Sequence, residues 1–298
     1  MSKQPLAEVF GFPITNASKD AKRYQMNRLC PYNNKVPNCT KDKAEDPLGV
    51  CSLFEGDDDQ SPTIVCPVRF RQDWIITVEA AKFIFPPNSK WTSLTEVRIS
   101  DKYGKSAGNI DIVLVAYDDA GHITDFGSLE VQGVYISGNI TKPFKQFMEA
   151  PDIQRNMVWT GPNYPRPDYL SSSRKRLAPQ MIYKGGILKA WRKKQVVAVH
   201  KNFYATLPDL QPVDADKEAN ADIAWQIYDL KYNPDEGRYK LVLDRVVYTM
   251  FEPALEQITR AEAGPVKDFT NKLQEKLTNK LENGYAPDTY TLADLLDR

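Results

Sequence analysis

Histidine is nearly missing from this chain, which has two, His122 and His200, in 298 residues. Nucleases of the HNH type need several, so that class is excluded. A histidine base has little support, because His122 sits in a DDAGH turn and His200 follows the apolar run VVAV. There is no G-x-S-x-G elbow, which argues against a serine hydrolase. No apolar run approaches bilayer length, and the opening MSKQPLAEVFGFP lacks a basic start followed by an apolar stretch. The expectation is a soluble, cytoplasmic protein with no membrane partner. Net charge is also lacking, with 39 Lys and Arg against 39 Asp and Glu. Nothing global therefore marks a polyanion binder, and internal repeats and low-complexity tracts are absent. No cysteine follows Cys66.

The charge that is present is unevenly spread. From Arg174 to Lys194 there are eight Lys or Arg residues and no acid. Such a stretch is either a solvated helix face or a phosphate contact; in the second case Arg174, Arg176 and Lys193 are the candidates. The chain is long enough for one large domain or two ordinary ones, so its size imposes no disulfide requirement. The four cysteines, Cys30, Cys39, Cys51 and Cys66, are then better read as thiols or metal ligands. Their spacings lack the paired CxxC of common zinc modules, and spacing alone leaves a metal cage and buried free thiols both open. The sequence between them, rich in Asn, Pro, Lys and Asp, has little capacity to pack a core of its own.

Apolar residues from Val68 to Phe85 recur at helical spacing up to Pro86 and Pro87, predicting one amphipathic helix. Strand candidates follow at Leu94–Ser100, Asn109–Tyr117 and Gly127–Ser137. A helix is expected around Met181–Trp191, a strand over Gln195–Phe203, a strand or buried helix over Leu241–Met250, and a charged amphipathic helix over Val266–Leu281. Glu96, Asp111, Glu130 and Gln132 fall in the strand region. Glu130 and Gln132 are two apart and share a face if extended. Asp111 interrupts the apolar NIDIVLVAY and is costly to bury unless it is paired or holds a cation. Carboxylates that fix Mg²⁺ are what phosphodiester hydrolysis requires. The spacing by itself is equally that of solvated acids at strand ends.

The stretch EVRISDKYGKSAGNIDIVLVAYD, from Glu96, with FGSLEVQGVYISGN, from Phe126, resembles the catalytic block of the NotI group in the PD-(D/E)XK nuclease superfamily. EVFGFP, LCPYNN, CTK and PLGVCS in the first 52 residues are similar to that group's cysteine region. The resemblance implies that Asp111 and Glu130 are the Mg²⁺ carboxylates and that Glu96 is an auxiliary acid; the chemistry of such a site adds the Val131 carbonyl as a further ligand. Gln132 falls where the superfamily more often has Lys, and an amide carries no cationic charge. The resemblance also implies that Cys30, Cys39, Cys51 and Cys66 form a closed S₄ structural site for iron or zinc. The turn from Asp101 to Gly108 joins the strands of Glu96 and Asp111, making Lys102, Lys105 and Ser106 the first candidates for DNA contact.

The expected architecture is α/β, a restriction-endonuclease-like mixed sheet flanked by helices. Its expected division is an N-terminal tetracysteine subdomain (1–67) and a catalytic and DNA-binding domain (68–298, core 68–140). The expected function is that of a homodimeric type II restriction endonuclease cutting double-stranded DNA at a palindrome. By resemblance the target is GC-rich, centred on GGCC, and cut to a four-base 5′ overhang. Two other readings remain: a metal-stabilised DNA binder without enzymatic activity, which has no use for Asp111, Glu130 and Gln132, and a structure-specific repair nuclease.

Overall fold

The computed structural model describes residues 2–33, 36–41, 45–55, 58–159 and 163–282. The end of the expected second domain, beyond Glu282, and parts of the cysteine segment and of the Pro-rich loop lie outside the described residues. The chain divides into two compact units, Met1–Thr259 and Arg260–Arg298.

Two sheets organise the first unit. The smaller is antiparallel and four-stranded, with β1 (Leu6–Val9), β2 (Phe12–Pro13), β3 (Val50–Glu55) and β4 (Asp58–Ile64) in the order β2-β1-β3-β4. The larger is six-stranded, with β5 (Trp91–Ser100), β6 (Ser106–Tyr117), β7 (Ile123–Gln132), β8 (Gln195–His200), β9 (Ile223–Asn233) and β10 (Arg238–Thr249) in the order β10-β9-β8-β7-β6-β5. Within it β8 runs parallel to both neighbours and the other pairings are antiparallel, so the sheet is mixed. The α/β class and the helix-flanked mixed sheet are as the sequence predicts.

Helices cover both faces. Helix α1 is Lys19–Met26; Ile112, Leu114, Leu129, Val196 and Ala198 pack with helix α2 (Ile75–Ile84) through Ile76, Ala80 and Ile84. Val197 and Val199 point the other way, towards Leu177, Met181 and Phe251. Each such Val, Leu, Ile, Met or Phe side chain, fully buried, contributes about 1.5–3 kcal/mol. That double burial is why β6 and β8 read as near-continuous apolar runs. On the second face, helical turns follow one another from residue 169 to 190 (α3), with the short α segments interrupted by π turns at Ser173–Leu177 and Met181–Gly185. One apolar core joins the smaller sheet to the larger, since Leu6, Val50 and Leu53 cluster with Val197, Trp225 and Phe203.

Three sequence expectations need correction. The helix over 68–85 is two pieces: Pro67–Trp74 is a tight 3₁₀ run that breaks at Gln72 and Asp73, and only Ile75–Ile84 is α-helical. Gln72 is diverted because its side-chain oxygen accepts from Leu241 N (3.0 Å) and Arg69 Nη1 (2.8 Å). The strand over 127–137 stops at Gln132, and Tyr135–Ser137 pairs instead with Arg166–Asp168. The strand over 195–203 ends at His200, whose Nδ1 accepts from Asn202 N and caps the short helical segment Lys201–Tyr204. Residues 241–250 lie in a strand, β10, which ends at Thr249. The second unit carries one described helix, α4 (Val266–Glu282), covering the segment expected over 266–281.

Candidate active site

The centre of the larger sheet brings the acidic candidates together. Ile112 pairs with Leu129 across β6 and β7, so Asp111 and Glu130 occupy adjoining positions on neighbouring strands. Asp111 Oδ2 accepts from the main-chain N–H of Val131 at 2.8 Å. Glu130 is 8% exposed; its Oε2 accepts from Lys184 Nζ at 2.7 Å, and its Oε1 is buried with no partner. Burial pushes the Glu130 carboxyl up to about 8; the Asp111 carboxylate beside it adds to the rise, and Lys184 opposes it. A buried acid oxygen without a donor, facing a second carboxylate, is an electrostatic arrangement that a cation would relieve.

Glu96 is drawn into the same place by a backbone distortion. Thr95 pairs with Ile112 and Val97 with Ile110, but Glu96, with φ of +58°, drops out of the ladder opposite Asp111. A glutamate in left-handed conformation inside a strand is strained and persists only where its surroundings impose it. Glu96 and Asp111 line a cleft of about 470 Å³ with Val131, Asn33, Pro67 and Arg71. One wall of the cleft therefore comes from the cysteine region. A larger cavity of about 920 Å³, between the helices Lys19–Met26 and Thr141–Glu149, contains none of these carboxylates.

The face shared by Glu130 and Gln132 meets α3. Gln132, 1% exposed, donates its amide to Gln180, while Lys184 reaches Glu130 and also donates to Asn109 O at 2.8 Å. Residues two apart on a strand and four apart on a helix both advance about 6 Å, so two side chains of the helix match two of the strand. The π turn at Met181–Gly185 contains Lys184, and Gly185 permits the approach, because a β-carbon there would lie 2.8 Å from Phe251 and 2.9 Å from Gln195. Sequence reasoning missed Lys184 and Arg71. The lysine was visible only as one of eight cations in a stretch assigned to phosphate contact or a solvated helix face.

The other candidates are more scattered. Lys102 and Lys105 are exposed at the tip of the β5–β6 hairpin, and Ser106 accepts from Arg98 Nε at 3.0 Å and from Gly108 N. That tip lies several strand residues beyond Asp111 rather than against it. Arg174 is exposed, and Arg176 lies 4.9 Å from the Tyr135 ring centre. Lys193 pairs with Asp125 at 2.5 Å near the start of β7, several residues along that strand from Glu130. His122 is exposed beside Asp118, His200 is fully buried, and neither lines the cleft.

The cysteines are gathered by two local pairings. Leu29 bridges to Asn38, with Cys30 N donating to Pro37 O and Cys39 N to Arg28 O. Cys66 N donates to Cys51 O, and Lys41 Nζ binds the carbonyls of Val50 and Val65, which precede those two cysteines. Burial pushes the Cys30 thiol up to about 11 and raises Cys39 and Cys51 as well, and the neighbouring cysteines add to each rise. The donor set is thus all-sulfur and mutually repulsive when ionised. Among the described residues, no three His, Cys, Asp or Glu side chains stand as a ready-made coordination group. No helix among them is long and apolar enough to cross a membrane.

The family model described as restriction endonuclease NotI matches residues 8–241, a span containing the cysteine region, the carboxylate pair and α3. No curated protein matches the chain. Of the readings open from sequence, this match selects the DNA-binding, site-specific deoxyribonuclease of a restriction system. The chain belongs to the NotI restriction endonuclease family and is a type II restriction enzyme.

Proposed function

We propose that this enzyme is a Mg²⁺-dependent endonuclease of PD-(D/E)XK type that acts in the cytoplasm as a homodimer and cuts both strands of a palindromic DNA site. The observation that carries the reading is the Asp111–Glu130 pair, two carboxylates on adjoining strands with Glu130 Oε1 buried and unpartnered. Two carboxylates, with waters and substrate phosphate oxygens filling the remaining positions, form a usual site for Mg²⁺. Asp111 and Glu130 would hold the ion, with the Val131 carbonyl as a further ligand. A bound Mg²⁺ would neutralise charge on the scissile phosphate and acidify the attacking water.

The chain's own groups orient the rest. The Val131 N–H fixes one oxygen of Asp111, and Lys184 fixes one oxygen of Glu130. Glu96, opposite Asp111, would hold a water or a second ion. Gln132, tied to Gln180, is a neutral hydrogen-bonding group and cannot act as a base. Lys102, Lys105 and Ser106 on the hairpin, with Arg174, Arg176 and Lys193, would contact the DNA backbone. A two-fold dimer presents one such centre to each strand of a palindrome.

The cysteine region serves as a structural subdomain in which Cys30, Cys39, Cys51 and Cys66 draw together on one iron or zinc ion. The reading is supported by their gathering at two short pairings and by thiols that raise one another's pKa. By resemblance the target is GC-rich, centred on GGCC, and cut to a four-base 5′ overhang. Incubation with sequenced plasmid and Mg²⁺, followed by sequencing of the ends, tests the whole reading. Discrete fragments with 5′-phosphates at one palindrome support it; nicking without fixed fragments, cleavage independent of divalent metal, or cuts only at AT-rich sites contradict it.

A further inference from the structure

Lys184 is a lysine without solvent. Its side chain is 5% exposed, it leaves α3 at a π turn, and its stem passes Gly108, where a β-carbon would stand 3.8 Å from Lys184 Cδ. An ammonium buried to this degree costs several kcal/mol unless it is paired, so its position is imposed by its partners. Those partners are Glu130 Oε2 at 2.7 Å and Asn109 O at 2.8 Å. They occupy two of the three ammonium protons and leave the third without a partner among the described residues. Gln132, on the strand beside Glu130, brings no charge; Arg71 is the one cation among the described residues lining the cleft, and Lys184 stands behind it, joined to it through Glu130 and the neighbouring Asp111.

We infer that Lys184 is the cation of the reaction centre: its free ammonium proton binds a non-bridging oxygen of the scissile phosphate, a charge supplied by the helix behind the sheet rather than by the catalytic strand. The inference rests on the carboxylate reading above. In the step it serves, the water oxygen forms a bond to phosphorus and the bond from phosphorus to the 3′ oxygen breaks. The proton lost by the water passes to solvent, and the 3′ oxygen takes one up. Lys184 keeps all its protons and offsets the negative charge that builds on the phosphate oxygens. Charge held ready where it develops is worth a factor of about 10²–10³ when one donor is removed.

The test uses the full chain and a duplex carrying the mapped site. Lys184→Gln keeps a hydrogen-bond donor for Glu130 and Asn109 while deleting the charge, so folding, checked by thermal melting, is preserved better than in Lys184→Met. Single-turnover cleavage by Lys184→Gln should fall about 100-fold or more, and Lys184→Arg should recover part of the loss. An independent readout needs no turnover. With EDTA present, binding is measured to unmodified DNA and to DNA with a neutral methylphosphonate at the scissile position. The ratio of the two affinities should differ between wild type and Lys184→Gln by about tenfold or more, the size of one charged hydrogen bond, with the modification tolerated better by the variant. Identical ratios in the two proteins, or cleavage by Lys184→Gln within threefold of wild type, overturn the inference. Asp111→Ala separates the levels. If Asp111→Ala still cuts, the carboxylate reading fails; if it is inert while Lys184→Gln cuts normally, only the role of Lys184 fails.

Discussion

Gly133 lies so close to Pro67 that a β-carbon on it would stand 2.9 Å from both the proline ring and its nitrogen, and 3.3 Å from the carbonyl carbon of Cys66. Gly133 directly follows Gln132, where the strand carrying Glu130 ends, and Pro67 directly follows the last cysteine. The thiol region is thus seated on the end of the strand that carries Glu130, and Pro67 and Arg71 continue from it into the wall of the cleft.

That seating predicts that the thiol cluster supports activity through structure. Elemental analysis of protein purified without added chelator should find about one iron or zinc per chain, as a closed four-thiolate site requires. Cys66→Ser should lose that metal and lower the melting temperature, and cleavage should fall in parallel. Metal-free protein that melts and cuts normally would remove the ion from the account.

Glu8 and Arg69 form a second tie between the cysteine region and the larger sheet, and both side chains are 0% exposed. Arg69 Nε meets Glu8 at 3.0 Å, its Nη2 donates to Tyr239 O at 2.9 Å, and its guanidinium lies over the Tyr32 ring. Ser52 donates to the same carboxylate. Removing one partner leaves a buried charge uncompensated, so Arg69→Met should destabilise the fold by about 3–5 kcal/mol. Urea unfolding would show it; a loss under 1 kcal/mol would mean that water reaches Glu8.

Much of the candidate site could be read from the sequence, because its acidic residues sit on consecutive strands. Asp111 stood out as a charge within an apolar run, and the two-residue step from Glu130 to Gln132 fixed their common face before any coordinates. Lys184 was illegible for the opposite reason. Its meaning depends on a contact 54 positions away and on a π turn that helical periodicity does not encode. The left-handed backbone at Glu96 was equally hidden, since nothing in TEVRIS marks it. The break at Gln72 and Asp73 escaped because apolar spacing continues across it, while the cause is a distant hydrogen bond to β10. Strand β9 carried no signal that was recognised, although it is buried along most of its length.

His200 predicts a pH dependence of stability. Burial lowers its pKa to about 4 from an ordinary value of 6.5; Asp229, 3.8 Å from Nε2 but too far to hydrogen-bond it, opposes the drop, and Lys201 adds to it. Between those values the unfolded chain binds a proton that the native state refuses, so stability is full above about pH 6.5 and declines as pH falls towards 4. At pH 5 this one group should cost about 2 kcal/mol relative to pH 8. Urea midpoints of wild type and His200→Gln at both pH values isolate it, because other titrating groups cancel in the difference. An equal pH response in the two proteins would contradict the assignment.

Lys102 and Lys105 are exposed on the hairpin and form no ion pair among the described residues. If both touch phosphates, changing both to Ala should reduce the slope of log affinity against log salt by about 2, close to 0.9 per contact. The weakening should be similar for cognate and unrelated DNA. An unchanged salt slope would remove the hairpin from the DNA interface.

The central claim is that Asp111 and Glu130 share a divalent cation. Crystals of the protein soaked in Mn²⁺ and measured at the manganese absorption edge test it without any assumption about the DNA site. The account predicts one anomalous peak between the two carboxylates, about 2.1–2.2 Å from an oxygen of each and on the Oε1 side of Glu130, as a hard six-coordinate ion requires. A peak elsewhere in the cleft, with these two side chains unbound, would contradict it.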